Sequence, residues 1–277
     1  MFTLEERRVA CRKHGLDHLS YSSLTTFRAD IALWLARYIF KVKGEMSLDI
    51  IRGVCSEYAM EQALKNNLST EEAVNVALEK FEEETKPKAI SQQTFDPEKI
   101  EDTKNWIAGH TTSRKEYAGH VKLGLEELKK YGELSRTQEK IHTKLDNIAT
   151  PITGYKDFSF DGIGIDVDLK CTKKIPSKIP SEISADHRIQ GALYAKASGN
   201  RGQRFMYVSK DKCVAYDLDQ EQSATAIRTA TGIALALENF LCLSEDKNEL
   251  KTIVAPDYAN FRWSPNSINQ AQEIFGF

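Results

Sequence analysis

Asp157, Asp166, Asp168 and Lys170 fall within one short segment, GYKDFSFDGIGIDVDLKCTKK, whose strand-forming residues flank an Asp161-Gly162 turn signal. Residues two apart on a strand share a face, so Asp166, Asp168 and Lys170 point the same way. A two-residue turn sets Asp157 opposite Asp166 and diagonal to Asp168, within roughly 5 to 8 Å; a slightly different loop sets it directly across from Asp168. Carboxylates this close repel and raise one another's pKa. A hard divalent cation removes that penalty, and oxygen-only ligands suit Mg²⁺ or Mn²⁺. A lysine beside them can orient a water nucleophile or stabilise charge developing on a phosphate. Two carboxylates, a strand lysine and a metal make a phosphodiester-hydrolysing site. The hairpin alone also permits a plainer arrangement, in which solvated Asp and Lys side chains pair across the strands.

These residues must be positioned by a sheet that begins near Gly132. LSRTQEKIHTKLDNIATPITGYKDFSF, the turn and GIGIDVDLKCT read as consecutive antiparallel strands. Pro176 and Pro180 break the chain, SADHRIQGALYAKASG reads as a helix ending at Gly199, and RFMYVSKDKCVAYDLD reads as two strands around a Lys-Asp-Lys turn. A helix follows over about 220–243, then a tail. Before Gly132 the pattern is helical. LSYSSLTTFRADIALWLARYIF (19–40) has serine caps, a second helix runs from about Leu48 to Lys65, and STEEAVNVALEKFEEE opens with the capping box Ser69–Glu72. A polar loop, TKPKAISQQTFDPEK, leads through the helix start Asp96-Pro97 to one long helix or a pair over 98–131. With no internal repeat or low-complexity linker, the expectation is a single domain: 1–131 mainly helical, 132–218 the sheet and helix bearing the acids, 219–277 a helix and tail.

Composition narrows the class. The formal net charge of −2 gives no global basic signature, although a local basic strip can still meet nucleic acid. The five cysteines (Cys11, Cys55, Cys171, Cys213, Cys242) are scattered and form no C-x-x-C pair, which argues against a disulfide framework, a zinc site or a locally built iron–sulfur cluster. No apolar run approaches the ~20 residues that span a bilayer. MFTLEERRVACRKHG mixes acids with bases and lacks the apolar stretch of a secretory signal. The expectation is a soluble, cytoplasmic protein with no membrane partner. There is no G-x-x-x-x-G-K-[ST], hence no ATP-driven helicase.

In order along the chain stand Gly154-Tyr155-Lys156-Asp157, Asp168-Leu169-Lys170 and Gln190-Gly191-Ala192-Leu193-Tyr194. Upstream are Ser20-Tyr21-Ser22-Ser23-Leu24 and a G-x-x-x-E run from Gly53 to Glu57. In this set the sequence resembles the PD-(D/E)XK nuclease superfamily, and within it the RecB-like exonucleases, with their G-x-x-D strand, D-L-K strand and Q-x-x-x-Y helix. The tail PDYANFRWS is similar to phage and bacterial members related to mitochondrial genome-maintenance exonucleases. The resemblance covers most of the chain. Each short motif is weak alone; their order on the expected elements gives them weight.

The resemblance implies an α/β fold with a restriction-endonuclease-like core, a mixed central sheet flanked by helices, and a helical N-terminal half. It implies Asp157 and Asp168 as metal ligands with the Leu169 carbonyl as a third, and Lys170 as the catalytic lysine. Glu57 would complete the site as ligand or base, an acid where many relatives carry histidine, as in the phage lambda exonuclease type. Glu61, one turn on, shares its face and competes for the role. Gln190 and Tyr194 would support the site or contact DNA, with Tyr194 as a core aromatic the plainer alternative. His187 and Arg188 stand where a phosphate contact is natural. Asp166 would be an extra acid near the site or a partner of Lys156 or Arg188, and Glu139 a supporting acid or a surface residue.

DNA would approach the basic run after the catalytic strand, through Lys173, Lys174 and Lys178, making binding salt-dependent. Arg7, Arg8, Arg12 and Lys13 are diluted by Glu5 and Glu6. Tyr21, Phe27 and Trp34 could stack on unpaired bases, with core packing favoured for Trp34. The functional expectation is a Mg²⁺- or Mn²⁺-dependent DNA exonuclease acting on single strands or free ends in replication, recombination or phage genome processing, alongside proteins of those processes. The alternatives are a structure-specific endonuclease and a non-catalytic DNA-binding scaffold on the same fold.

Overall fold

The computed structural model describes residues 2–44, 47–85, 100–177, 183–199 and 201–276, the side chains of 100–106 excepted. The expected Asp96-Pro97 helix start, Pro180 and Lys178 lie outside the described residues.

The centre is a five-stranded mixed sheet in sequence order: β1 (Arg136–Thr143), β2 (Ile152–Phe160), β3 (Ile165–Cys171), β4 (Gly202–Val208) and β5 (Cys213–Asp217). β1, β2 and β3 form an antiparallel meander, β3 and β4 run parallel, and β4 and β5 close as a hairpin. A parallel neighbour requires a crossover. That crossover is α7 (Ala185–Ala197), which starts on a Ser184 cap bonded to the His187 amide.

Before the sheet come α1 (Leu4–Lys13), α2 (Tyr21–Ala29), α3 (Ile31–Trp34), α4 (Leu48–Asn66), α5 (Thr70–Glu84) and α6 (Ile100–Leu128); after it come α8 (Gln220–Leu241), α9 (Lys247–Leu250) and α10 (Pro265–Phe275). The chain is therefore α/β, a mixed sheet flanked by helices and preceded by a helical half. Two expectations change in detail. The polar start forms α1 because Thr3 and Glu6 make a reciprocal capping box. The segment expected as one helix over 19–40 breaks at Asp30, which is extended, caps α3 through the Leu33 amide, and accepts from the Trp263 indole at 2.8 Å.

The alternation of β3 divides the core. Val167 and Leu169 face a cluster with Ile51, Cys55, Met60, Phe81, Tyr117 and Leu125 of α4, α5 and α6. Asp166, Asp168 and Lys170 face the opposite side, toward α7. Behind α7 lies a second apolar cluster, in which Ile189, Leu193, Ala230, Leu237, Leu24 and Trp34 join α7, α8, α2 and α3. Glu238 of α8 is fully buried there, accepting from the amides of Ala149 and Thr150 and pairing with Arg7 at 3.3 Å. Arg7, expected in an N-terminal basic cluster, is thus a buried structural cation. Arg8 and Lys13 pair with Glu5 and Glu245.

Candidate active site

The connection after β2 is a 3₁₀ turn, Asp161–Ile163, closed by Gly164 in the left-handed region at φ 67°, where a glycine carries no steric cost. This longer turn sets the register Phe158↔Val167, Ser159↔Asp166 and Phe160↔Ile165. Continued by one step, it places Asp157 across from Asp168, the second of the two arrangements the sequence allowed. The ladder stops there, and the Leu169 amide, left without a strand partner on that edge, is satisfied by Asp157 Oδ2 at 2.8 Å. Lys156 and Ser159 both lie beside Asp166, so the two-residue alternation of β2 is interrupted between them. The strands part at Asp157, and this is how acids from both faces of the sheet meet.

Glu57 reaches that opening from α4. Burial, then Asp168, push its carboxyl up from 4.5 to about 7, while Lys170 works against them. Burial, Asp168 and Glu57 likewise raise Asp157 well above the usual carboxylate range. Burial opposes the charge of Lys170, but Asp168 and Asp157 outweigh it and hold the ammonium above its ordinary pKa. The geometry also separates Glu57 from Glu61. Glu61 is tied to Thr137 Oγ1 at 2.7 Å and to Lys65, whereas Glu57 interacts with the two aspartates and accepts from the side-chain Nε2 of Gln138.

α7 closes the other side. Gln190 donates through Nε2 to Asp168 Oδ2 and accepts from Lys170 Nζ at 3.0 Å, holding both groups in place. Tyr194, one turn on, puts its hydroxyl 3.4 Å from Gln190 Nε2, and burial, then Asp168, push its phenol up to about 12. Its ring lies against Gly154, where a Cβ would come within 2.7 Å of Tyr194 Cε1. The glycine of G-x-x-D is thereby explained by the tyrosine of Q-x-x-x-Y. His187 faces inward as well, with Nδ1 2.6 Å from the Tyr207 hydroxyl; burial and Lys170 press its pKa down to about 4. A neutral, hydrogen-bonded imidazole is not the cationic phosphate contact expected of it.

The donor chemistry fits a hard cation: three carboxylates, a backbone segment at Leu169 and no sulfur. Among the described residues no group of three or more acids, histidines or cysteines is arranged as a ready cage. The oxygens are held instead by protein donors. Asp168 Oδ1 is buried and paired with Lys170, without an aligned hydrogen bond.

No family model matches the chain. No curated protein matches it either. Among solved structures, one described as the crystal structure of SSO0001 is 20% identical at a TM-score of 0.31, covering 66% of this chain and 86% of that chain.

Several expected residues lie elsewhere. Asp166 takes the Lys156 alternative, at 3.2 Å, rather than Arg188, in a separate buried network with Arg201 at 3.2 Å and Gln203 at 3.1 Å. Glu139 joins it through Lys156 at 2.6 Å. Arg188 is turned away from the cluster, because two residues along a helix from Gln190 is more than half a turn; it lines a groove with Glu221 and Thr225 of α8. Lys173 and Lys174 are exposed beyond the end of β3, and Lys173 pairs with Asp49 at 3.2 Å. Phe27 and Trp34 are core. Gln138 was not foreseen: its contact with Glu57 follows from a left-handed backbone at φ 48° inside β1, which no residue type there signals.

Proposed function

We propose that this protein is a Mg²⁺- or Mn²⁺-dependent deoxyribonuclease of the RecB-like PD-(D/E)XK type, an exonuclease acting on DNA ends in replication, recombination or phage genome processing. The observation that supports it is the convergence of Glu57, Asp157 and Asp168 from three elements around one lysine, with Glu57 and Asp157 held above their ordinary pKa values partly by the other acids. Such repulsion is costly in a fold that could have placed neutral residues there, and a divalent cation relieves it.

Asp157 and Asp168, with the Leu169 carbonyl, are the residues that would hold the cation, and Glu57 would complete the set. When bound, the cation supplies Lewis-acid polarisation of the scissile phosphate and lowers the pKa of water. Alternatively, Glu57 would serve as the base, standing at the edge of the cluster where it can accept a proton from the attacking water. Lys170, fixed by Gln190 and Asp168, aims a permanent positive charge at the phosphate oxygens as negative charge develops. Tyr194 and Gly154 set the position of Gln190.

The test is digestion of end-labelled single- and double-stranded linear DNA, and of circles, with Mg²⁺, Mn²⁺ or EDTA. Loss of label from linear DNA alone, abolished by EDTA and reduced at least about a hundredfold in Lys170→Ala, is the expected outcome. Cut circles would point to an endonuclease. Retained binding without products under either metal, or equal cleavage by the variant, would refute the catalytic reading.

A further inference from the structure

Resting on the nuclease reading above, we propose that Phe261 and Arg262 form a stacking platform for an unpaired base of a single-stranded DNA end, outside the carboxylate cluster. Phe261 is 86% exposed, the most exposed of the large hydrophobic side chains among the described residues. Its neighbours are pinned on both sides. The Arg262 amide donates to Asn260 Oδ1 at 3.1 Å, the Arg262 carbonyl accepts from Arg37, and the buried Trp263 indole donates to Asp30 at 2.8 Å. An aromatic side chain is thus held out in water by an anchored backbone, with the Arg262 guanidinium 5.1 Å from its ring centroid.

The platform is wired to the site. Arg262 pairs with one oxygen of Asp186 at 2.9 Å and Arg28 pairs with the other. Two guanidiniums therefore share one carboxylate, which leaves positive charge suited to a phosphate backbone. Asp186 sits in the first turn of α7, the helix that carries Gln190. The Tyr21 phenol lies within electrostatic reach of Lys170 and Asp168 and of Asp186 and Arg262. An aromatic face next to a cation takes a base, and only an unstacked base offers its own face. The occupant is accordingly a single strand rather than an intact duplex.

The test is binding of single-stranded oligonucleotides carrying 2-aminopurine at successive positions from one end, measured in Ca²⁺ by anisotropy and by quenching of the probe, for the unaltered protein, Phe261→Ala and Phe261→Trp. The expected result is quenching at one position, lost in Phe261→Ala together with about tenfold in affinity. Phe261→Trp should restore both, with the melting temperature of either variant unchanged and with weaker binding to blunt duplex. Equal affinity and equal quenching in Phe261→Ala, or equal binding of duplex and single strand, would overturn the platform. Hydrolysis of the same strands in Mg²⁺ separates the two readings. Cutting with no effect of Phe261→Ala removes the platform and leaves the nuclease; position-specific quenching without cutting leaves the platform and removes the nuclease. A protein that binds no strand removes the platform outright.

Discussion

Glu57 is the residue at which charge, burial and pH meet. Its folded-state pKa is raised from 4.5 to about 7, so between those values the native state binds more protons than the unfolded chain. Stability of the metal-free protein should therefore fall as pH rises through that window, because a raised acid costs stability once it must ionise. Glu57→Gln removes this cost. At pH 7.5 in EDTA it should raise the melting temperature by about 2 °C or more, while near pH 5 the variant and the unaltered protein should melt together. Adding Mg²⁺ to the unaltered protein should stabilise it at pH 7.5 and progressively less toward pH 5, as protons compete for the same oxygens. Calorimetry across this range checks both; a Glu57→Gln protein less stable than the original at pH 7.5 in EDTA would show that the glutamate is a satisfied structural acid.

Between elements, the contact of β2 with α7 is the narrowest. Gly154→Ala would drive its methyl into the Tyr194 ring, which is buried and cannot swing aside. Overpacking of this kind costs about 1–3 kcal/mol, and the shift of α7 would also displace Gln190 from Lys170 and Asp168. In a Tyr194→Leu background the same substitution should cost less, and a double-mutant cycle by denaturant unfolding reads the difference. Additive costs would mean that the two residues do not meet. This pairing also shows what local patterning can and cannot reveal. G-x-x-D and Q-x-x-x-Y are visible as strings, but that the glycine exists to admit the tyrosine depends on how a helix packs across a sheet. Gln138 is less legible still, since its left-handed backbone arises where β1 and β2 jointly lose their alternation.

For the molecule as a whole, Glu238 ties distant pieces together. It is completely buried on α8, yet satisfies two amides of the β1–β2 connection and the guanidinium of α1. Glu238→Ala would strand a buried arginine and two amides and should cost about 3–5 kcal/mol, visible as a shifted urea midpoint. A loss below about 1 kcal/mol would mean water replaces the carboxylate. No helix among the described residues is long and apolar enough to cross a membrane.

By itself the sequence determined the periodicities, hence the helical half, the strand succession and the crossover helix, because apolar spacing and caps act over a few residues. It also determined which acids and which lysine are present at two-residue spacing. The tertiary structure alone decided that Asp157 stands across from Asp168, that Glu57 rather than Glu61 faces them, that Asp166 pairs with Lys156 rather than Arg188, and that Arg188 and Arg7 serve other partners. Those outcomes depend on turn length, the parting of two strands and the rotation of a helix. A one-residue slip in any of these redirects a side chain to another face, and local propensity carries no energy large enough to choose among them.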